Sequence, residues 1–141
     1  MTQVPPERRV TPILVWQTSV TDYFSIIEEF GKIGLRAGSD FMISDHVAHL
    51  ELDIRSDEEQ LLIVSPPHGN FGEADRIARE MRAKYPRLVI ASMQFLNSPT
   101  PRDPYHLNIS RGRGKTFFDD LVQEVKHFLQ VHRVVVASQS L

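Results

Sequence analysis

The chain has 141 residues, 41% apolar and 24% charged, with a formal net charge of −2. That length suits one domain around one core, and the near-neutral charge gives no global electrostatic basis for binding nucleic acid or an anionic membrane. Cysteine is absent, which excludes disulfides, thiol catalysis, zinc–thiolate sites and iron–sulfur clusters and fits a cytoplasmic location. No apolar run approaches the roughly 18 to 20 residues of a membrane span. Met1 to Arg9 lacks the apolar core of a signal peptide.

Residues 1–11 are Pro-rich and charged and read as a flexible amino-terminal arm. The apolar run Ile13-Leu14-Val15-Trp16 then predicts a buried strand. The hydroxyls of Thr18, Ser19 and Thr21 can cap a helix in which Tyr23, Ile26, Ile27, Phe30 and Ile33 share one face. That helix should end near Gly34, with Gly31 and Gly34 suiting its carboxyl end. Phe41-Met42-Ile43 is a short strand. Ser44 and Asp45 can cap a second helix from about His46, with Val47, Leu50 and Ile54 inward, although the alternation from His49 to Ile54 also suits a strand.

Gln60 to Arg82 is the clearest stretch: the apolar run Leu61 to Val64, a break at Ser65-Pro66-Pro67-His68-Gly69-Asn70, then Ala74, Ile77, Ala78, Met81 and Tyr85 at helical spacing. It reads as buried strand, loop and helix, the helix over 71–85. Leu88 to Met93 is a further strand. Pro99, Pro101 and Pro104 disfavour a regular helix over 96–104. Tyr105 to Ile109 alternates as a last strand. After the basic loop Ser110 to Thr116, the residues Phe118, Leu121, Val122, Val125, Phe128 and Leu129 form the strongest amphipathic stripe. Residues 132–141 are a carboxyl-terminal tail. Strands alternating with helices predict a three-layer α/β/α sandwich with a mainly parallel five-stranded sheet, occupying 12–131.

This order and these loop lengths resemble the receiver domains of bacterial response regulators, which are flavodoxin-like. The likeness covers roughly residues 12–131. It rests on Ile13 to Trp16, on the helix-then-strand pattern of His46 to Val64, and on that of Glu73 to Ile90. The resemblance implies acidic residues just after the first strand to hold magnesium, but Gln17 and Thr18 stand there. It implies a phosphoacceptor aspartate ending the third strand, where Ser65 stands. Ser92 matches the switch hydroxyl of the fourth strand, while Asn108 or a neighbour takes the place of the fifth-strand lysine, and Lys115 lies too far along to substitute. Magnesium needs hard oxygen ligands and acyl-phosphate formation needs a carboxylate. The resemblance therefore implies a pseudo-receiver: a non-catalytic regulatory or protein-interaction domain without a cofactor. Its partner would be another protein or a second copy, met through the last helix and the 94–104 segment.

A different class also fits the residues. In open parallel sheets ligands bind at the carboxyl ends of the strands. A small α/β enzyme or ligand-binding protein would use Gln17, Thr18, Ser65, His68, Ser92, Arg111, Arg113 and Lys115 there, for an anionic or phosphorylated ligand. Gly114-Lys115-Thr116 resembles the end of a phosphate-binding loop, but the motif's first glycine falls on Ile109. Ser65 with His68 lacks the glycine-flanked elbow of a nucleophilic serine. His46 and His49 could share a helix face without nominating the third ligand a metal needs. Trp16 could stack on a flat ligand, with core packing as the alternative.

Overall fold

The computed structural model describes residues 11–17, 19–65, 71–94, 104–110 and 118–131. The arm over 1–10, the prolines at 99 and 101 and the tail lie outside the described residues, as do Thr18, His68, Arg111, Arg113 and Lys115.

The elements are β1 (Ile13–Gln17), α1 (Val20–Lys32), β2 (Phe41–Ser44), α2 (Val47–Glu51), β3 (Gln60–Ser65), α3 (Phe71–Lys84), β4 (Leu88–Gln94), β5 (Leu107–Ser110) and α4 (Asp119–Val131). The strands form one sheet in the order β2-β1-β3-β4-β5, parallel throughout. That order is the flavodoxin-like α/β fold, whose switch point falls between β1 and β3.

Why the sheet is buried on both sides follows from alternation. Ile13 and Val15 of β1, Leu61 and Ile63 of β3 and Ala91 and Met93 of β4 pack against α1 and α4, through Ile26, Phe30, Leu121, Val125 and Phe128. Leu14, Trp16, Leu62, Val64 and Ile90 point the other way, onto Leu50 of α2 and Ala74, Ala78 and Met81 of α3. Central strands with both faces covered need continuous apolar runs, and β1 and β3 have them.

Helix α1 is held at both ends. Ser19 is its N-cap, and its hydroxyl accepts from the Asp22 amide at 3.4 Å. Asp22 in the first turn and Lys32 in the last both suit the helix dipole. The helix stops at Lys32, short of the expected Gly34, and the chain reverses through Gly34 at a φ of 87°, a conformation glycine adopts without strain.

Two expected elements are shorter than their sequence patterns suggest. Helix α2 spans only five residues, so Ile54 is buried but not helical. Its N-cap is His46, which makes no side-chain cap bond; Ser44 Oγ instead accepts the His46 amide at 3.1 Å. The reason lies in Gln60, fully buried at the start of β3. Its Oε1 accepts the Arg55 amide at 2.8 Å, and its Nε2 donates to the carbonyls of Asp53 at 2.8 Å and Thr11 at 2.9 Å. The Arg55 amide and the Asp53 carbonyl are backbone groups that a longer helix would have used, so the chain leaves the helix and turns into β3.

Strand β5 begins at Leu107 rather than Tyr105. Tyr105 swings onto α3, where its hydroxyl donates to Asp75 Oδ1 at 2.8 Å, and Arg82 Nη1 donates to the Pro104 carbonyl at 2.8 Å. His106 replaces ordinary pairing with a side-chain contact: its amide donates to the Ile90 carbonyl at 2.8 Å, while its Nδ1 accepts the Ile90 amide at 3.0 Å.

Candidate functional site

In a parallel sheet every strand ends on the same side, so Gln17, Ser65, Gln94 and Ser110 close one edge. Gln17 and Ser65 are direct register partners on β1 and β3, at the switch point. Alternation puts both on the α1/α4 face, in line with Val15 and Ile63. Each is 2% exposed.

Gln17 is fixed by its bond to the start of α1. Its Oε1 accepts the Ser19 amide at 2.9 Å, so the strand's last side chain ties down the residue that caps α1. That bond commits the carbonyl end of the amide. The other end, Nε2, is buried without a hydrogen-bond partner among the described residues, and so is Ser65 Oγ. A buried polar atom left unpaired costs about 1 to 3 kcal/mol. Two such atoms on register partners concentrate that cost at the point where α/β proteins of this topology bind ligands.

Beside this pair, Gln17, Ser19, Val20, Tyr23, Phe24 and Asp45 line an open cavity of about 300 Å³. Its wall is largely apolar: Tyr23 and Phe24 meet edge to face with ring centroids 5.3 Å apart, and Val20 and Phe24 remain 71% and 65% exposed. Asp45 is anchored from below. The Trp16 indole Nε1 donates to its carbonyl at 3.2 Å, which leaves its carboxylate facing solvent, 3.6 Å from His46 Nε2. Trp16 is therefore a core residue that positions the rim of the cavity, and it is 8% exposed. Among the described residues, the cavity lining contains one carboxylate and neither lysine nor arginine.

Of the other candidates, Ser92 is described and lies apart from the pair. Ser92 sits within β4, opposite Val64 and Asn108, with its side chain on the α2/α3 face. The sheet thus lies between Ser92 and the Gln17–Ser65 pair. The reason is simple parity: β4 continues past Ser92 to Gln94, and Ser92 is an even number of residues from Ile90. His46 and His49 lie edge to face at 5.3 Å, and His49 Nδ1 is 3.3 Å from Ser44 Oγ. Among the described residues no group of three or more His, Asp or Glu side chains could hold a metal ion. Nor is any described helix long and apolar enough to cross a membrane.

Sequence reasoning named Gln17 and Ser65 but did not single out Phe24, and it placed Tyr23 on the apolar face of the first helix. A signal existed. Phe24 falls outside the inward stripe of Ile26, Ile27 and Phe30, and a large aromatic on the outer face of a capped helix start marks a surface worth examining. No protein-family model matches the chain, and a search of curated proteins finds no match.

Proposed function

We propose that this chain is a non-catalytic, receiver-like regulatory or interaction domain that works by binding and not by phosphotransfer. The observation that carries the reading is the Gln17–Ser65 pair at the β1–β3 switch point, an amide and a hydroxyl where phosphotransfer would need carboxylates. The all-parallel order β2-β1-β3-β4-β5 supports the comparison with receivers, and the exposed Val20 and Phe24 beside the cavity offer apolar contact area. A cytoplasmic location goes with this reading, as does a protein partner or a second copy. The test is labelling with acetyl phosphate and magnesium, read by intact mass and by amide chemical shifts. The expected result is no acid-stable or base-labile adduct at any residue and no shift at Ser65. A stoichiometric acyl phosphate would sink the proposal.

A second reading, ligand binding at the same edge, draws support from the unpaired Gln17 Nε2 and Ser65 Oγ and from the adjoining cavity. A volume of this size suits a small molecule, and aromatic walls with a few polar groups are usual for such sites. With Asp45 the one charged residue among the described lining residues, an anionic ligand would need cations from Arg111, Arg113 or Lys115. Titrating labelled protein with inorganic phosphate and with nucleotides distinguishes the two readings. Saturable shifts at 17–24 and at Ser65 favour a ligand; none at millimolar concentration favours a macromolecular partner.

A further inference from the structure

The sheet carries one titratable group in its hydrogen-bond ladder. Strands β3, β4 and β5 hold no ionisable side chain of their own. His106, directly before β5, contributes both bonds to Ile90: its backbone amide goes to the Ile90 carbonyl and its ring Nδ1 receives the Ile90 amide. An imidazole accepts at Nδ1 only when that nitrogen carries no proton, so this geometry requires the neutral ring with its hydrogen on Nε2. Beyond this rung β5 has only four residues, and it is the edge of the sheet.

We propose that His106 is a pH-operated latch on the edge strand: its neutral ring holds the first rung between β4 and β5 shut, and protonation at Nδ1 opens it. The added proton turns the acceptor into a donor facing the donor of Ile90. The bond is lost, and the Ile90 amide is left without its partner in a partly buried position. The amide of His106, on the same residue, loses its alignment with the Ile90 carbonyl, so one proton releases both ends of the rung.

The surroundings bias the latch toward the closed form at neutral pH. Burial of the ring and then the positive charge of Arg82 on α3 hold its pKa below the ordinary value. Arg82 also clamps the approach to β5 by donating to the Pro104 carbonyl, and Asp75 of α3 holds Tyr105. Arg87, ahead of β4, is engaged with the Asp57 carbonyl and Glu59. On the opposite face α4 carries Asp119, Asp120, Glu124, Lys126 and His127. Among these groups Arg82 alone perturbs the ring. A charged His106 would repel Arg82, loosening the Pro104 clamp together with the rung. Opening therefore spreads along residues 104–106, while the apolar body of α4 keeps the far end of the sheet in place.

The experiment is a pH titration of uniformly nitrogen-labelled protein, following the two ring nitrogens of His106 and the exchange protection of the Ile90 amide. We expect Nδ1 to report an unprotonated acceptor at neutral pH and to titrate below the ordinary histidine range. Protection at Ile90, corrected for intrinsic exchange, should fall by roughly ten- to a hundred-fold across the same interval, the cost of unpairing a partly buried donor. His106→Asn places a carbonyl oxygen close to the Nδ1 position without a titrating group, so Ile90 protection should become independent of pH. The latch is overturned if the asparagine variant shows the same pH dependence as the parent. It is equally overturned if the parent ring titrates while Ile90 protection stays constant, or if the neutral ring carries its hydrogen on Nδ1. These last two readouts need no variant and decide the matter should His106→Asn not fold.

Discussion

Replacing Ser65 with alanine removes one heavy atom, the buried hydroxyl oxygen that has no hydrogen-bond partner among the described residues. Removing a paired buried hydroxyl usually destabilises a protein; removing an unpaired one ends a desolvation penalty. The Cβ stays in place as a methyl on a face already lined by Val15 and Ile63, and the space vacated is that of a single oxygen atom. We therefore expect Ser65→Ala to stabilise the fold, by about 1 kcal/mol and up to about 3 kcal/mol if the hydroxyl is fully desolvated. For a chain of this length that corresponds to roughly 3 to 4 °C in Tm per kcal/mol. Urea unfolding followed by far-ultraviolet circular dichroism should show a higher midpoint with an unchanged slope, by roughly 0.5 M per kcal/mol. Gln17→Met is the companion measurement. It removes the unpaired Nε2 but also the Oε1 that accepts the Ser19 amide, so the two changes oppose and the net effect should lie within about 1 kcal/mol of zero. A loss of more than about 1 kcal/mol in Ser65→Ala would refute the reasoning, because it would mean that the hydroxyl is paired in solution. A gain in stability accompanied by a loss of ligand response at 17–24 would mark Ser65 as a residue retained for binding at a cost to the fold.

The remaining predictions concern the scaffold. Gln60→Leu strands the Arg55 amide and the carbonyls of Thr11 and Asp53, and should cost about 2 to 5 kcal/mol in urea unfolding. Phe30→Ala opens the core where Phe30 meets Phe41 edge to face at 4.8 Å, and should cost about 3 to 5 kcal/mol by the same assay. Glu51 is held below the usual glutamate range by hydrogen bonds from Lys84 and then Tyr85. Its contribution is present above the unfolded value and is lost as pH falls through the folded one, so Glu51→Gln should flatten the acid limb of the stability curve. His106 has the same sign in a higher window: its lowered value gives stability that is intact above the ordinary histidine range and lost as pH falls below it, a slope His106→Asn should remove.

The first four strands were legible because each is a compact apolar run bounded by breakers, and Leu61 to Val64 needs no tertiary information to be read as buried. Helix α1 was legible for a similar reason, its hydroxyl cap and inward stripe agreeing with one another. What the pattern could not show were side chains acting in place of backbone. Gln60 ends the helix preceding β3 by taking up its main-chain groups, and nothing about a glutamine after Asp57-Glu58-Glu59 distinguishes it from a solvated charge run. His106 shortens β5 in the same manner, since the alternation of Tyr105 to Ile109 reads as strand throughout. At the site, Gln17 and Ser65 were identified from their place at strand ends. Their adjacency is a matter of register, and register depends on partners distant in sequence. Ser92 was grouped with them because a linear reading counts strand ends and does not fix which face a residue near the end will occupy.

Trp16 gives the molecule a native optical reporter. It is the only tryptophan in the chain, and its indole nitrogen is bonded to the backbone of Asp45, at the rim of the cavity that Gln17 lines. Anything that settles against Tyr23 and Phe24 and shifts that rim will change the indole's hydrogen bond, and with it the wavelength of its emission. His106, three strands away or roughly 14 Å, lies outside the first shell of the ring. Occupancy of the cavity and opening of the edge strand can thus be followed in one unlabelled sample, the first by emission colour and the second by amide exchange.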